Sequence, residues 1–291
     1  MASPEYPSSE LETGRLSLPE LKKMFKTQNN EKHGLLYKLF SAGVPIIAIA
    51  FAELLILTGR IKEAAAAYTL LLVILSFSII VSKNLEIRKV YQALILLPIL
   101  RLVNLSMPVY FESDLYSFIF MYLPMTIPIT IIAVHQEIPG EGKMALLKKM
   151  GIYLPFSLLA GLIFAEAEYS IVKTEPFIPD LSPFNLLQLI IIMIFVVSLI
   201  EEIIFRGVIQ TRLEKFLGPA GGVLLASFLF GVMHSSYGTP YEIAYTFLVG
   251  GIIGYFFYRT KSLPLVVMIH GFTNIFLFGL IPHLGPGLGL I

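Results

Sequence analysis

The chain has 291 residues, 56% of them hydrophobic and only 14% charged, with a formal net charge of +1 and no cysteine; its mean hydropathy is +0.79. That is more apolar surface than one water-soluble core can hide, and it implies an all-α fold, a polytopic transmembrane helical bundle. The near-neutral balance without a basic patch excludes nucleic acid as a partner, and the lack of thiols excludes disulfides, thiolate nucleophiles and Cys-ligated metals.

Residues 1–39 hold six basic and five acidic side chains before any apolar run, the wrong shape for a cleaved signal peptide. They are expected to form a cytosolic N-terminal tail, in which "SLPELKKMF" sets Ser17 and Glu20 at capping-box spacing for a short surface helix. From 40 to 291 the chain reads as one membrane-embedded domain. A bilayer core takes about 20 apolar residues per helical span, and nine segments qualify: about 40–59, 64–82, 90–110, 116–134, 152–172, 185–207, 219–236, 241–258 and 263–282. The third carries Arg101 and the fifth Glu166 and Glu168, so the expectation is eight or nine spans. Lys and Arg beside spans are retained in the cytosol. With the N-terminus inside, seventeen of them face the cytosol and three the exterior, which favours nine spans, with loop 140–150 inside and loop 174–184 outside. Glu53, Arg101, Asn104, Glu166 and Glu168 are read as structurally paired or interfacial, and His33 and His283 as lying outside the spans.

The chemistry-bearing residues lie in the last third, the motif core being 185–282. "SLIEEIIFRGVIQ", residues 198–210, places Glu201, Glu202 and Arg206 in a strongly apolar stretch. Residues four apart share a helix face and adjacent ones do not, so Arg206 is expected to neutralise Glu202 and leave Glu201 as a free carboxylate facing the bundle. A salt-bridged triplet at the cytosolic end of the helix, with Arg206 reaching water, explains the same pattern equally well. Downstream, "FGVMH" puts Phe230 and His234 on one face beside the small residues Ala226, Ser227 and Gly231, and "HGFTN" does the same for His270 and Asn274. Each pair alone is more often packing or helix glue than catalysis. Together, a carboxylate, two imidazoles and an amide from three spans imply a polar intramembrane cavity.

Such a set can run hydrolysis without a covalent intermediate: Glu201 takes a proton from water, His234 orients that water, and His270 and Asn274 offer N–H groups to the oxyanion. No cofactor is needed for this, although zinc held by Glu201, His234 and His270 is an admissible minority alternative. Other protease chemistries lack their residues. "HQEIPGE" at His135 is not H-E-x-x-H, no G-x-S-x-G occurs, and the only aspartates, Asp114 and Asp180, fall in expected external loops.

The three motifs "EEIIFR", "FGVMH" and "HGFTN", in that order on separate spans, resemble those of the CAAX protease and bacteriocin-processing (abortive infection) family, which includes the type II CAAX prenyl endopeptidases of the Ras-converting type. The resemblance covers about 75 residues, 200–274; the first 180 carry no matching signature. It implies an intramembrane glutamate protease in which Glu201 and His234 activate water, His270 and Asn274 form the oxyanion site, and Glu202, Arg206 and Phe230 support them. It implies a prenylated or other membrane-anchored peptide as substrate, with membrane lipid as the surrounding partner. Members tied to bacteriocin immunity, or acting as scaffolds, keep a non-catalytic reading open, and buried Glu and His also suit a proton- or ion-coupled transporter. The orientation is directly testable in this Cys-free chain: Ala145→Cys is predicted to resist an impermeant maleimide on intact cells while Glu175→Cys reacts. Labelling of the first from outside would invert the topology.

Overall fold

The computed structural model describes residues 18–110, 115–135 and 143–289, and every regular element within them is helical. Ser17, Asp114 and residues 136–141 of the "HQEIPGE" stretch lie outside the described residues. Nine long helices carry the described chain: α1 Leu18–Leu57, α2 Ile61–Val81, α3 Leu85–Met107 and α4 Ser117–Val134, α5 Lys143–Val172, α6 Pro183–Leu217, α7 Pro219–Val232, α8 Pro240–Thr260 and α9 Leu263–Leu284. α1 runs without interruption through residues 39 and 40, where the sequence suggested the tail would end.

Among the described residues eight helices are both long and apolar enough to cross a membrane, and α8 is not among them. Its 21 residues span about 30 Å at 1.5 Å per residue, so length does not separate it from the rest. Glu242, Arg259, three glycines and several tyrosines dilute its apolar character. α8 packs along α7 and also meets α5 and α9.

Local signals set the helix boundaries. α1 ends in an αL glycine, Gly59 (φ 76), and Gly59 N–H and Arg60 N–H donate back to the carbonyls of Ile56 and Leu55, satisfying the orphan acceptors of the last turn. The Asn84 side chain caps α3 by accepting from the Glu86 and Ile87 amides at 3.0 and 3.2 Å. Thr239 followed by Pro240 starts α8, and Ser262 followed by Leu263 and Pro264 starts α9.

α9 is the central helix: 78% of its most apolar stretch is buried inside the protein, against 22% for α2 and for α5. It contacts α5 and the first half of α6 most extensively. The α5–α9 approach depends on Gly161, where a Cβ would stand 2.7 Å from Phe272 Cβ and 2.9 Å from the Thr273 amide nitrogen. Backbone cannot move aside as a flexible side chain does, so Gly161→Ala is predicted to destabilise by about 1–3 kcal/mol through overpacking. That exceeds the roughly 1 kcal/mol that Ala normally gains over Gly within a helix. Thermal unfolding in detergent measures the sign, and an unchanged or raised Tm would refute the close-packing argument.

Candidate active site

α6 is not a uniform helix. A single α turn, Leu199–Glu202, sits between π-helical segments at Ile192–Ser198 and Ile203–Gln210. π segments bond i to i+5 and recur at functional sites, and here they enclose the two adjacent glutamates. In the second segment the Thr211 hydroxyl donates to the Arg206 carbonyl, five residues back, at 2.9 Å, taking up an acceptor that the altered ladder leaves available. α9 likewise passes into a π segment, Phe276–Leu280, just after Asn274.

The expected Glu202–Arg206 pair is present but imperfect. Arg206 Nε lies 3.3 Å from Glu202 Oε2 and both side chains are fully buried, yet none of the three Arg206 nitrogens reaches hydrogen-bond geometry with a described group. The contact is an ion pair by distance and not a directed hydrogen bond. The guanidinium instead lies over the Phe230 ring, 4.7 Å from its centroid, with the Phe205 ring at 6.0 Å, so cation–π attraction supplements the carboxylate. This is a specific role for Phe230: its ring also meets the His234 ring at 4.8 Å and the His270 ring edge-on at 5.7 Å.

Glu202 has a second partner that helical spacing could not show. His270 Nδ1 lies 2.9 Å from Glu202 Oε1. Beside Arg206 the carboxylate is an acceptor, so Nδ1 carries the hydrogen and donates it. The other face of the ring turns to Glu201, with Nε2 3.6 Å from Oε2. Glu201 is therefore not the free carboxylate that the sequence suggested, because the Tyr122 hydroxyl of α4 donates to its Oε1. His234 Nδ1 is 2.8 Å from the Phe230 carbonyl and can only donate there, which leaves Nε2 as the acceptor. Asn274 Nδ2 donates to Ser198 Oγ at 3.3 Å.

All four central side chains, Glu201, His234, His270 and Asn274, line one cavity of about 180 Å³, together with Tyr122, Arg101 and Glu168. Sequence reasoning missed Tyr122 and Ser198, neither of which belongs to a spacing motif. The groups assigned to structural pairing occupy definite places. Glu53 and Arg101 form a buried bidentate pair, at 2.7 Å for each contact. Asn104 Nδ2 approaches Met121 Sδ at 3.0 Å, and Glu166 Oε1 accepts from the Gly287 amide at 2.8 Å. Glu168, on the cavity wall, interacts with the fully buried Glu242 of α8. His283, expected outside the spans, lies in the last turn of α9 and bonds the Ile178 carbonyl at 2.9 Å. No group of three or more His, Asp or Glu side chains among the described residues is arranged to hold a metal ion.

Residues 183–276 match the family model described as type II CAAX prenyl endopeptidase, Rce1-like. The match places this segment in the CAAX protease family. It contains Glu201, Glu202, Arg206, Phe230, His234, His270 and Asn274, and excludes Glu53, Arg101 and Tyr122. Neither the curated proteins nor the solved structures yielded a match. The family is one of membrane-embedded proteases, and the apolar helices make this chain a multi-pass integral membrane protein.

Within the family segment, the double contact of Glu202 separates stability from geometry. Glu202→Gln is predicted to leave Arg206 buried without its counter-charge, a loss on the order of 3–5 kcal/mol where a buried pair is broken. Glu202→Leu combined with Arg206→Met removes both charges and is predicted to recover part of the lost Tm. A double variant less stable than either single replacement would contradict this assignment.

Proposed function

We propose that the chain is an intramembrane glutamate endopeptidase that cleaves near the C-terminus of prenylated CAAX-type, or similarly membrane-anchored, peptides by attack of activated water, with its N-terminus in the cytosol. The observation that carries this reading is the convergence of Glu201, His234, His270 and Asn274 on one cavity inside an apolar bundle. A lipid anchor can remain in the bilayer while the peptide beside it enters that cavity.

Each group has a defined task. Tyr122 fixes one oxygen of Glu201, so the carboxylate presents a set orientation to a water in the cavity and takes its proton. His234, with Nδ1–H committed to the Phe230 carbonyl, offers Nε2 to the second hydrogen of that water and aims its lone pair at the scissile carbonyl. The oxyanion that forms needs donors fixed in advance. Asn274 has a second amide hydrogen beyond the one given to Ser198. His270 gives Nδ1–H to Glu202, so its Nε2 donates to the oxyanion only in the imidazolium form, whose charge is balanced by Glu201 before the water is activated and by the oxyanion once Glu201 holds the proton. The proton held by Glu201 then passes to the leaving amine, and both products separate from an unmodified enzyme.

Purified protein incubated with prenylated and unprenylated forms of one C-terminal peptide provides the test, with product masses read by spectrometry. Cleavage is predicted for the prenylated form, unaffected by strong chelators, and Glu201→Gln is predicted to lower the rate by roughly a hundred- to ten-thousand-fold, as general-base loss does, with Tm preserved. Cleavage abolished by chelation and restored by zinc would favour the metal alternative. Absence of cleavage from every membrane-anchored peptide would leave the scaffold or transporter.

A further inference from the structure

His234 stands at a break in the fold, and the ion pair that secures its flanks comes from residues 1–182, which the family match does not reach. α7 ends at Val232, and His234 has φ −92 and ψ 12, the sparsely allowed bridge region between helix and strand. Its amide donates to the Gly231 carbonyl at 3.0 Å, and its own carbonyl accepts from the Tyr237 amide at 3.2 Å. Its ring is held by the Nδ1 bond to the Phe230 carbonyl and by stacking on Tyr237, both within the same short stretch of chain, so the direction of the ring in the cavity follows that of the turn. The residues on either side of His234 are tied to a single ion pair. Arg101 of α3 donates through Nη2 to the carbonyl of Met233, while the Ser235 hydroxyl donates to Oε2 of Glu53 on α1. Glu53 and Arg101 are locked to each other by two 2.7 Å hydrogen bonds. Tyr68 of α2 donates to Oε1 of Glu53, so each oxygen of that carboxylate accepts two hydrogen bonds. Glu53, Tyr68, Arg101 and Ser235 are almost fully buried.

We propose that Glu53 and Arg101, with Tyr68 and Ser235, are positioning residues that clamp the backbone on both sides of His234 and thereby fix the direction of its imidazole in the cavity. The inference rests on the proposed proteolysis for its rate effect but not for its geometric content. An ion pair whose only task was to join α1 to α3 would have no need to reach residues 233 and 235. This one spends a donor and an acceptor site there, and a cation at the carbonyl end of α7 also suits the helix dipole. Helices α1 to α3 thus act on the site through the turn after α7.

Ser235→Ala is the mildest cut, because it releases one side of the turn and leaves the Glu53–Arg101 pair whole. In protein with 15N-labelled histidine, His234→Gln identifies the His234 signals among the five histidines. The wild-type ring is expected as one tautomer with hydrogen on Nδ1; Ser235→Ala is expected to broaden or shift those signals and leave the His270 signals in place. On the prenylated peptide the same variant is expected to lower kcat by about tenfold, with KM within twofold, as loss of a transition-state orientation does. Glu53→Gln with Arg101→Met, which removes both charges together, is expected to disturb His234 in the same way. If His234 signals are unchanged in both variants, the clamp is refuted, whatever the activity. Loss of kcat with unmoved His234 signals refutes it as well. If wild-type protein cleaves nothing while the His234 signals move as stated, the proteolytic reading fails and the clamp stands.

Discussion

A charge placed inside an apolar bundle must be met by protein, because neither lipid nor a dry interior solvates it, and a lone charged residue at mid-span costs about 2.5–3.5 kcal/mol even on the mildest scale. Two buried ion pairs answer this demand, and the cavity lies between them. Arg206, Glu202 and His270 form one, cushioned by the rings of Phe205 and Phe230. Arg101, Glu53, Tyr68 and Ser235 form the other. Neither adds much stability relative to apolar residues of equal volume, since desolvation offsets most of the Coulomb gain. Their effect is geometric: Glu202 of α6 bonds His270 of α9, and Glu53 and Arg101 bond the turn after α7, so each pair ties separate elements together beside an imidazole.

The two histidines are held by different means. His270 sits mid-helix on the most buried helix of the protein and is gripped through its side chain by a carboxylate on α6. His234 lies past a helix end, and among the described residues its ring hydrogen-bonds only to its own preceding turn, so its direction follows from the backbone around it. A side chain that must present a free ring nitrogen to water cannot also be gripped at that nitrogen, and backbone control resolves the conflict. Glu201 shows a related compromise, with one oxygen given to Tyr122 and the other left toward the cavity.

The π segments of α6 explain why spacing arguments were only partly successful on this helix. Placing Glu202 and Arg206 on one face was sufficient to predict their proximity, but i to i+5 bonding widens the turn, and the contact at 3.3 Å lacks hydrogen-bond alignment. At the end of α7, by contrast, the four-residue step from Phe230 to His234 survives the break after Val232, and the two rings meet at 4.8 Å. Phe230, read from the sequence only as a supporting motif residue, stands where Arg206, His234 and His270 all touch its ring.

The amino-acid sequence alone determined the all-helical membrane class, the apolar part of each long helix though not the early starts of α1 and α5 or the extension of α6 to Leu217, and the motif residues that line the cavity, because apolar run length and four-residue spacing are local properties that a helix transmits directly. It also pointed to the Glu202–Arg206 pair. The tertiary structure alone decided that Glu202 is shared with His270, that Glu201 is held by Tyr122, and that Glu53 and Arg101 reach the turn around His234. These contacts join residues 68, 79, 132 and 182 positions apart. No periodicity in the chain encodes which of several buried polar groups will meet, since that depends on how whole helices cross. Close contacts such as Gly161 against the Thr273 backbone limit those crossings together with the buried polar contacts.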